Sequence, residues 1–389
     1  MISFSKLLLN QQHFGDSLRY HPHVQGNTRG TTRGKGPIVV WNCTRTCNLK
    51  CRHCYAGAVN TYKSGELSTE EAKQFMASLV AYKVPVLLFS GGEPLMRKDI
   101  FQLFEYGNQL GLRMVISTNG TLIDKEKAKR IKELSISYVG ISLDGLKDVN
   151  DSFRGVSGAF EKAIEGFQNC HEVGQKTGLR LTLSRTTYQD LPDIFNLIEQ
   201  EQIKRVCFYH LVYSGRGSNI KNEDLTHVET REALDFIIEK TLDFNRKGIE
   251  TEILTVDNHC DGIYLYNYMK KRDKEQSQKI LSLITANGGN RSGSAISSVD
   301  WEGNVYIDQF TRGISLGNVR EKSFGEIWDG FDNPFLEKLR DRKKYLQGRC
   351  ASCRWLDQCN GNFRARAQST GDFWVSDPAC YLTDEEISI

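Results

Sequence analysis

Seven of the eleven cysteines in this 389-residue chain fall into two spaced groups. Cys47, Cys51 and Cys54 form a C-x3-C-x2-C run followed by Tyr55. Three thiolates from one short loop can hold a [4Fe–4S] cube by three irons and leave the fourth open to another ligand. Zinc is the alternative, but a structural zinc site takes four protein ligands. His53 is the only extra donor in the loop, and neighbours such as His53 and Cys54 seldom both turn toward one ion. Cys350, Cys353, Cys359 and Cys380 form a complete four-thiolate set, C-x2-C-x5-C-x20-C. That set suits a second [4Fe–4S] centre or, read alone, zinc. Cys43 is expected to be a buried, inert thiol. Cys170, Cys207 and Cys260 have no cysteine near them in sequence and are expected to pack as small hydrophobes.

The elements that must position these groups show in the hydrophobic pattern. Short β-branched or apolar runs at 38–41, 84–89, 114–117, 138–142, 179–184 and 206–209 read as strands. Helical periodicity is clearest over 68–83, where Ser68 and Glu71 make a capping box and Ala72, Phe75, Met76, Leu79 and Val80 share a face. Further helices are expected near 98–110, 124–134, 158–173, 190–201 and 227–247. Six alternations of strand and helix predict an α/β fold of parallel strands with right-handed crossovers. Six units are too few for an eight-stranded barrel, so the expected architecture is a partial (β/α)6 TIM-like barrel with a small C-terminal iron–sulfur domain. Its chemistry should lie at the carboxyl ends of the strands. The expected organisation is an irregular arm over 1–37, a core over 38–255, a linker or insertion over 256–293 and a cysteine-bearing domain over 294–389. Within that last part, 299–307 reads as a hairpin turning at Glu302-Gly303-Asn304.

Composition narrows the function. Fifty-one Lys and Arg against 48 Asp and Glu give a net charge of only +3, which argues against a nucleic-acid binder. No apolar run approaches the roughly 18 residues of a membrane span, and the first residues, MISFSKLLLN, do not read as a secretory signal. A cytoplasmic, oxygen-poor setting is the expectation.

The C-x3-C-x2-C-aromatic loop after the first strand, Gly91-Gly92-Glu93-Pro94 after the second, and the (βα)6 pattern together resemble the radical S-adenosylmethionine (SAM) superfamily. The resemblance implies that the open iron of the Cys47/Cys51/Cys54 cluster chelates SAM, and that reduction releases a 5′-deoxyadenosyl radical. It also implies SAM contacts from Tyr55, from Gly91, Gly92, Glu93 and Pro94, from Ser117 and Asn119, from Ser142 and Asp144, and from Arg154 as partner of the SAM carboxylate. The last forty residues resemble the SPASM extension, which carries auxiliary clusters. Asp308, Ser294 or its neighbours, and Phe363 stand where the resemblance would put further cysteines, so one auxiliary [4Fe–4S] cluster is expected, held by Cys350, Cys353, Cys359 and Cys380. Four protein ligands favour electron transfer over substrate coordination.

Both ends of the chain are similar to the haem-biosynthesis branch of that family, which acts in haem d1 and alternative haem formation. The implied substrate is a sirohaem-derived tetrapyrrole whose carboxylate side chains are modified or removed, with electrons from a reduced flavodoxin or ferredoxin-type donor. Arg29, Arg33, Arg364 and Arg366 are candidate partners for the carboxylates, and Lys35 for substrate contact. His13, His21, His23, His210 and His259 are candidate axial ligands to a substrate iron, His210 the best placed. Two other readings stand beside this one. A peptide- or protein-modifying SPASM maturase is one, weakened because only 37 residues precede the first strand, too few for the peptide-binding module many such enzymes carry. A two-cluster electron-transfer protein is the other, although a pure carrier has no use for an open iron site.

Overall fold

The computed structural model describes residues 1–20, 30–31, 36–62, 64–330 and 333–388. His21, His23, Arg29, Arg33 and Lys35 lie outside the described residues. All six expected strands form: β2 (Ile38–Thr44), β3 (Leu87–Gly91), β4 (Met114–Thr118), β5 (Tyr138–Ser142), β6 (Thr177–Leu183) and β7 (Arg205–His210). They follow β1 (Ile2–Ser3) and precede β8 (Glu252–Val256), β9 (Ile296–Val299), β10 (Asn304–Tyr306) and β11 (Gly317–Asn318). The sheet runs β1-β8-β7-β6-β5-β4-β3-β2-β9-β10-β11, parallel from β2 through β8. β1 and β11 are its two edges, and the sheet is an open partial barrel.

The predicted helices form where the periodicity places them, at Thr69–Ala81, Ile100–Gln109, Lys125–Glu133, Ala159–Glu172, Leu191–Gln200 and His227–Arg246. The Ser68/Glu71 capping box is present, satisfying two otherwise orphaned amides. These helices cover the sheet's outer face with side chains such as Phe75, Leu103, Ile131, Phe167, Ile194 and Ile237, all nearly or fully buried.

Three expectations need correction. The first residues are not an irregular arm: β1 pairs antiparallel with β8, Ile2 opposite Thr255. A helix, Phe4–Leu9, follows at once, its amino end capped by Ser3 and its Phe4 and Leu7 fully buried. β8 is a seventh parallel strand; all five of its residues are buried, as a strand covered on both faces must be. The stretch expected as a linker or insertion forms two packed helices, Cys260–Lys270 and Lys274–Asn287, the second started by Asp273 and closed by Gly288 in the left-handed region. The hairpin expectation holds, with β9 and β10 antiparallel. β9 also pairs in parallel with β2, Ile38 opposite Ile296, so the cysteine-bearing C-terminal part extends the same sheet.

Candidate active site and auxiliary thiol centre

The Cys47–Cys54 loop leaves the carboxyl end of β2 and is held by backbone bonds from three directions. The Cys47 amide donates to Val59 O at 2.9 Å, and the Lys50 and Arg52 amides donate to Arg154 O and Phe153 O at 3.0 and 2.9 Å. Arg216 donates to Cys51 O at 2.8 Å and to Ala58 O at 2.7 Å. Donors also face the thiols: Asn119 Nδ2 is 3.9 Å from Cys47 Sγ, and Arg154 Nη1 is 3.6 Å from Cys51 Sγ. Burial pushes both thiols up, and the Arg154 guanidinium works against that rise at Cys51. His53 is committed elsewhere. Its ring stacks on Phe153 at 4.7 Å and its Nε2 faces Asp144 at 3.6 Å, and burial lowers its pKa to about 4. The loop therefore offers three thiolates, the donor set of a cube with one open iron.

A cavity opens beside this loop at the carboxyl ends of the strands. It is lined by the three cysteines and by seven of the ten residues the resemblance implied for SAM: Tyr55, Gly91, Gly92, Ser117, Asn119, Ser142 and Arg154. Tyr55 donates to Asn42 Oδ1 at 2.9 Å and bonds Ser90 Oγ at 3.0 Å, which fixes its ring over the site. Glu93, Pro94 and Asp144 are not among the lining residues. The fully buried Glu93 carboxylate accepts from the Leu95 and Asn119 amides and from Thr118 Oγ1, tying the ends of β3 and β4 together. Asp144 is spent on the Arg154 guanidinium and the Thr182 amide. The two glycines serve the cluster loop itself. A Cβ on Gly91, whose φ is +127°, would meet Thr44 O at 2.5 Å, and one on Gly92 would meet Thr46 O at 2.1 Å. This gap closes because the Gly92 and Glu93 amides donate to those two carbonyls.

Sequence reading missed the opposite wall. Arg180 on β6 donates to Ser117 Oγ and, at 2.5 Å, to Tyr209 OH on β7. Asp257 also lines the cavity, as do Arg216, which bonds the cluster loop, and Phe310, whose ring packs edge-on against Tyr55 at 5.0 Å. Asp257, immediately after β8, has its pKa pushed up to about 6, mainly by burial. Among the five candidate histidines, His210 lines the cavity, as its place at the end of β7 implies. Its Nε2 lies 2.9 Å from Asp261 Oδ2, and Asp261 Oδ1 accepts from Tyr381 OH at 2.7 Å. His13 instead lines a separate cavity at the amino ends of the strands. Asp257 alone stands at a strand end, after a β8 that the pattern does not reveal; Arg180 lies mid-strand and Arg216 and Phe310 lie outside the strands, where no local pattern marks them.

The second cysteine group surrounds a void of about 20 Å³ lined by Cys350, Cys353, Cys359 and Cys380. The four thiols share that lining, which is the donor set a [4Fe–4S] core takes. Asn360 and Asn362 take left-handed conformations, turning the chain just after Cys359. Arg364 and Arg366 are fully buried and are not substrate contacts. Arg364 donates to the carbonyls of Gly361, Phe373 and Val375. Arg366 makes a fork-shaped pair with Asp377 and also donates to Leu211 O at 3.1 Å and Asp257 O at 2.6 Å, fastening the thiol loop to the ends of β7 and β8. Asp308, in the place of a further cysteine, accepts from the Phe310 and Thr311 amides. Cys260 corrects another expectation: it lines the same void as the four ligand candidates. Among the described residues no three His, Cys, Asp or Glu side chains stand close enough together for a single metal ion. Both cysteine sets border cavities instead, as a polynuclear core needs.

Comparison with known proteins agrees with this arrangement. The radical SAM superfamily model matches residues 41–198, and the SPASM iron–sulfur cluster-binding domain model matches 292–354. The chain is 50% identical to Fe-coproporphyrin III synthase of Methanosarcina barkeri, over 100% of this chain and 99% of that one. It is 40% identical to pre-haem d1 synthase of Dinoroseobacter shibae, over 96% and 92%. The crystal structure of Streptococcus suis SuiB bound to SAM superposes with a TM-score of 0.70 at 17% identity, covering 90% of this chain and 78% of that one; at that distance the likeness speaks to fold alone. The chain is a radical SAM enzyme with a C-terminal SPASM domain, and it belongs to the haem-biosynthesis branch of that superfamily. Its cofactors are SAM, the [4Fe–4S] cluster that binds it and an auxiliary [4Fe–4S] cluster.

Proposed function

We propose that this enzyme modifies or removes carboxylate-bearing side chains of a sirohaem-derived tetrapyrrole. The observation that carries the reading is the 50% identity, end to end, with a protein whose product is an iron porphyrin. Bound at the Cys47, Cys51 and Cys54 thiolates, the cluster with SAM supplies a 5′-deoxyadenosyl radical able to take a hydrogen atom from the substrate. Arg154 and Asn119 orient the thiolates and the SAM side of the cavity. The Arg180 guanidinium, braced by Ser117 and Tyr209, faces the same cavity and suits a substrate carboxylate. His210, its ring oriented by Asp261, is placed to meet a substrate iron or to carry a proton at the cavity wall. The Cys350, Cys353, Cys359 and Cys380 thiolates hold the auxiliary cluster for electron transfer, and a reduced flavodoxin or ferredoxin-type protein serves as donor.

The test is a binding and turnover comparison under anaerobic conditions. Reconstituted enzyme is given sirohaem, its didecarboxylated form or a candidate peptide, with SAM and a reductant. Formation of 5′-deoxyadenosine stimulated by a tetrapyrrole, with a product matching Fe-coproporphyrin III or pre-haem d1, supports the reading. Stimulation by the peptide alone overturns it in favour of a maturase.

A further inference from the structure

Cys260 stands ninety residues before Cys350 in sequence and against the auxiliary thiols in space. It opens the helix Cys260–Lys270 and is 0% exposed. Its Sγ donates to Cys380 Sγ at 3.5 Å, and it shares the lining of one void with Cys359. The position is held firmly. Asn258 Oδ1 accepts from the Cys260 amide at 3.1 Å and from Asn362 Nδ2 at 2.9 Å, and Asn258 Nδ2 donates to Ala379 O at 3.0 Å. The start of this helix is thus tied to the loops on either side, one just after Cys359 and one just before Cys380.

Five sulfurs therefore border one small void, whereas a cube of four irons takes four thiolates. Thiolates on different irons point away from the corners of the cube and stand well apart. Two sulfurs within hydrogen-bonding distance cannot both be ligands on separate irons of one cube. Cys260 is the supernumerary sulfur. Cys353 belongs to a loop wound round its own thiol, with the Trp355 amide donating to Cys353 Sγ at 3.4 Å, while Cys260 is anchored on a helix outside that loop. An S–H donated to a ligand thiolate withdraws charge from it and favours the more reduced, more negative cluster.

We propose that Cys260 is a fifth, non-ligating sulfur of the auxiliary centre, whose S–H donates to the Cys380 thiolate and raises the reduction potential of the cluster that Cys380 helps to hold. The proposal rests on the reading that Cys350, Cys353, Cys359 and Cys380 are the ligands. The experiment is iron and sulfide analysis with an EPR-monitored redox titration of the full-length, anaerobically reconstituted enzyme. Cys260→Ala should keep the parent's iron content, shift the auxiliary midpoint to more negative potential and leave the SAM-cluster midpoint in place. Cys260→Ser, which keeps a donor of similar size, should recover part of the shift. An unmoved midpoint in both variants overturns the proposal, as does loss of one cluster's iron from Cys260→Ala, which would make Cys260 a ligand. Failure of the underlying reading shows elsewhere: Cys359→Ala would then retain the parent's iron, and the proposal would fall with it.

Discussion

Asp144 and Arg154 form an ion pair with almost no solvent access, side chains 0% and 9% exposed, directly behind the Cys51 thiol. Removing one partner of a buried pair leaves an uncompensated charge, at a cost of about 3–5 kcal/mol. Asp144→Asn should therefore lower the Tm of the reconstituted enzyme markedly, as read by anaerobic calorimetry, and weaken SAM binding through the released guanidinium. Asp257 makes the opposite case. Its folded pKa of about 6 lies above the ordinary carboxyl value of about 4. Between those values the folded chain holds the extra proton, so stability falls as pH rises through the window, and above about pH 6 the full penalty of a buried carboxylate remains. Asp257→Asn should raise stability at pH 8, by up to about 3 kcal/mol, with the gain shrinking as pH falls from 6 toward 5. A gain that is constant from pH 5 to pH 8 would contradict this. Neither residue's role is legible from its neighbours in sequence: nothing near Asp144 announces the Arg154 pairing, and Asp257 follows a strand that the pattern does not reveal.

The β3 turn and the cluster loop fit each other as backbone surfaces, with the Gly92 and Glu93 amides bonded to Thr44 O and Thr46 O. Gly92→Ala should push the Cys47–Cys54 loop away from β3, because its Cβ would lie 2.1 Å from Thr46 O. The expected outcome is loss of the SAM cluster's iron and absorbance with secondary structure retained by circular dichroism; full iron retention would show that the loop can yield. Elements of this kind were legible where their cues are local. The capping box at Ser68, the helical face from Ala72 to Val80 and the turn Glu302-Gly303-Asn304 each need only a few adjacent residues. The helices Cys260–Lys270 and Lys274–Asn287 were missed because the first buries residues on several faces and the second is largely polar. Arg364 and Arg366 were misread for a related reason. Guanidinium groups usually face water or a ligand, and only the folded chain shows the carbonyls and the Asp377 carboxylate that surround these two.

At the scale of the molecule, the two cysteine sets stand at different places on one sheet, the first after β2 and the second fastened to the ends of β7 and β8, and the proposed function divides the chemistry between them. Cys51→Ala should abolish 5′-deoxyadenosine formation, while Cys359→Ala should spare a part of it and cut tetrapyrrole product far more; equal loss of both in the second variant would contradict the division of labour. The cysteine spacings alone made that division legible, since each set lies in one segment of sequence. The approach of Cys260 to Cys380 was not, because it depends on how the helix after β8 meets the C-terminal loops. Because β9 hydrogen-bonds along β2 and Arg366 fastens the second thiol loop to the ends of β7 and β8, both sulfur sets are carried by one sheet, and the spacing between them is built in rather than reached by a swinging arm. On the proposed electron-transfer role, exchange between the two centres should then be insensitive to solvent viscosity, with glycerol retarding only the encounter with an external donor.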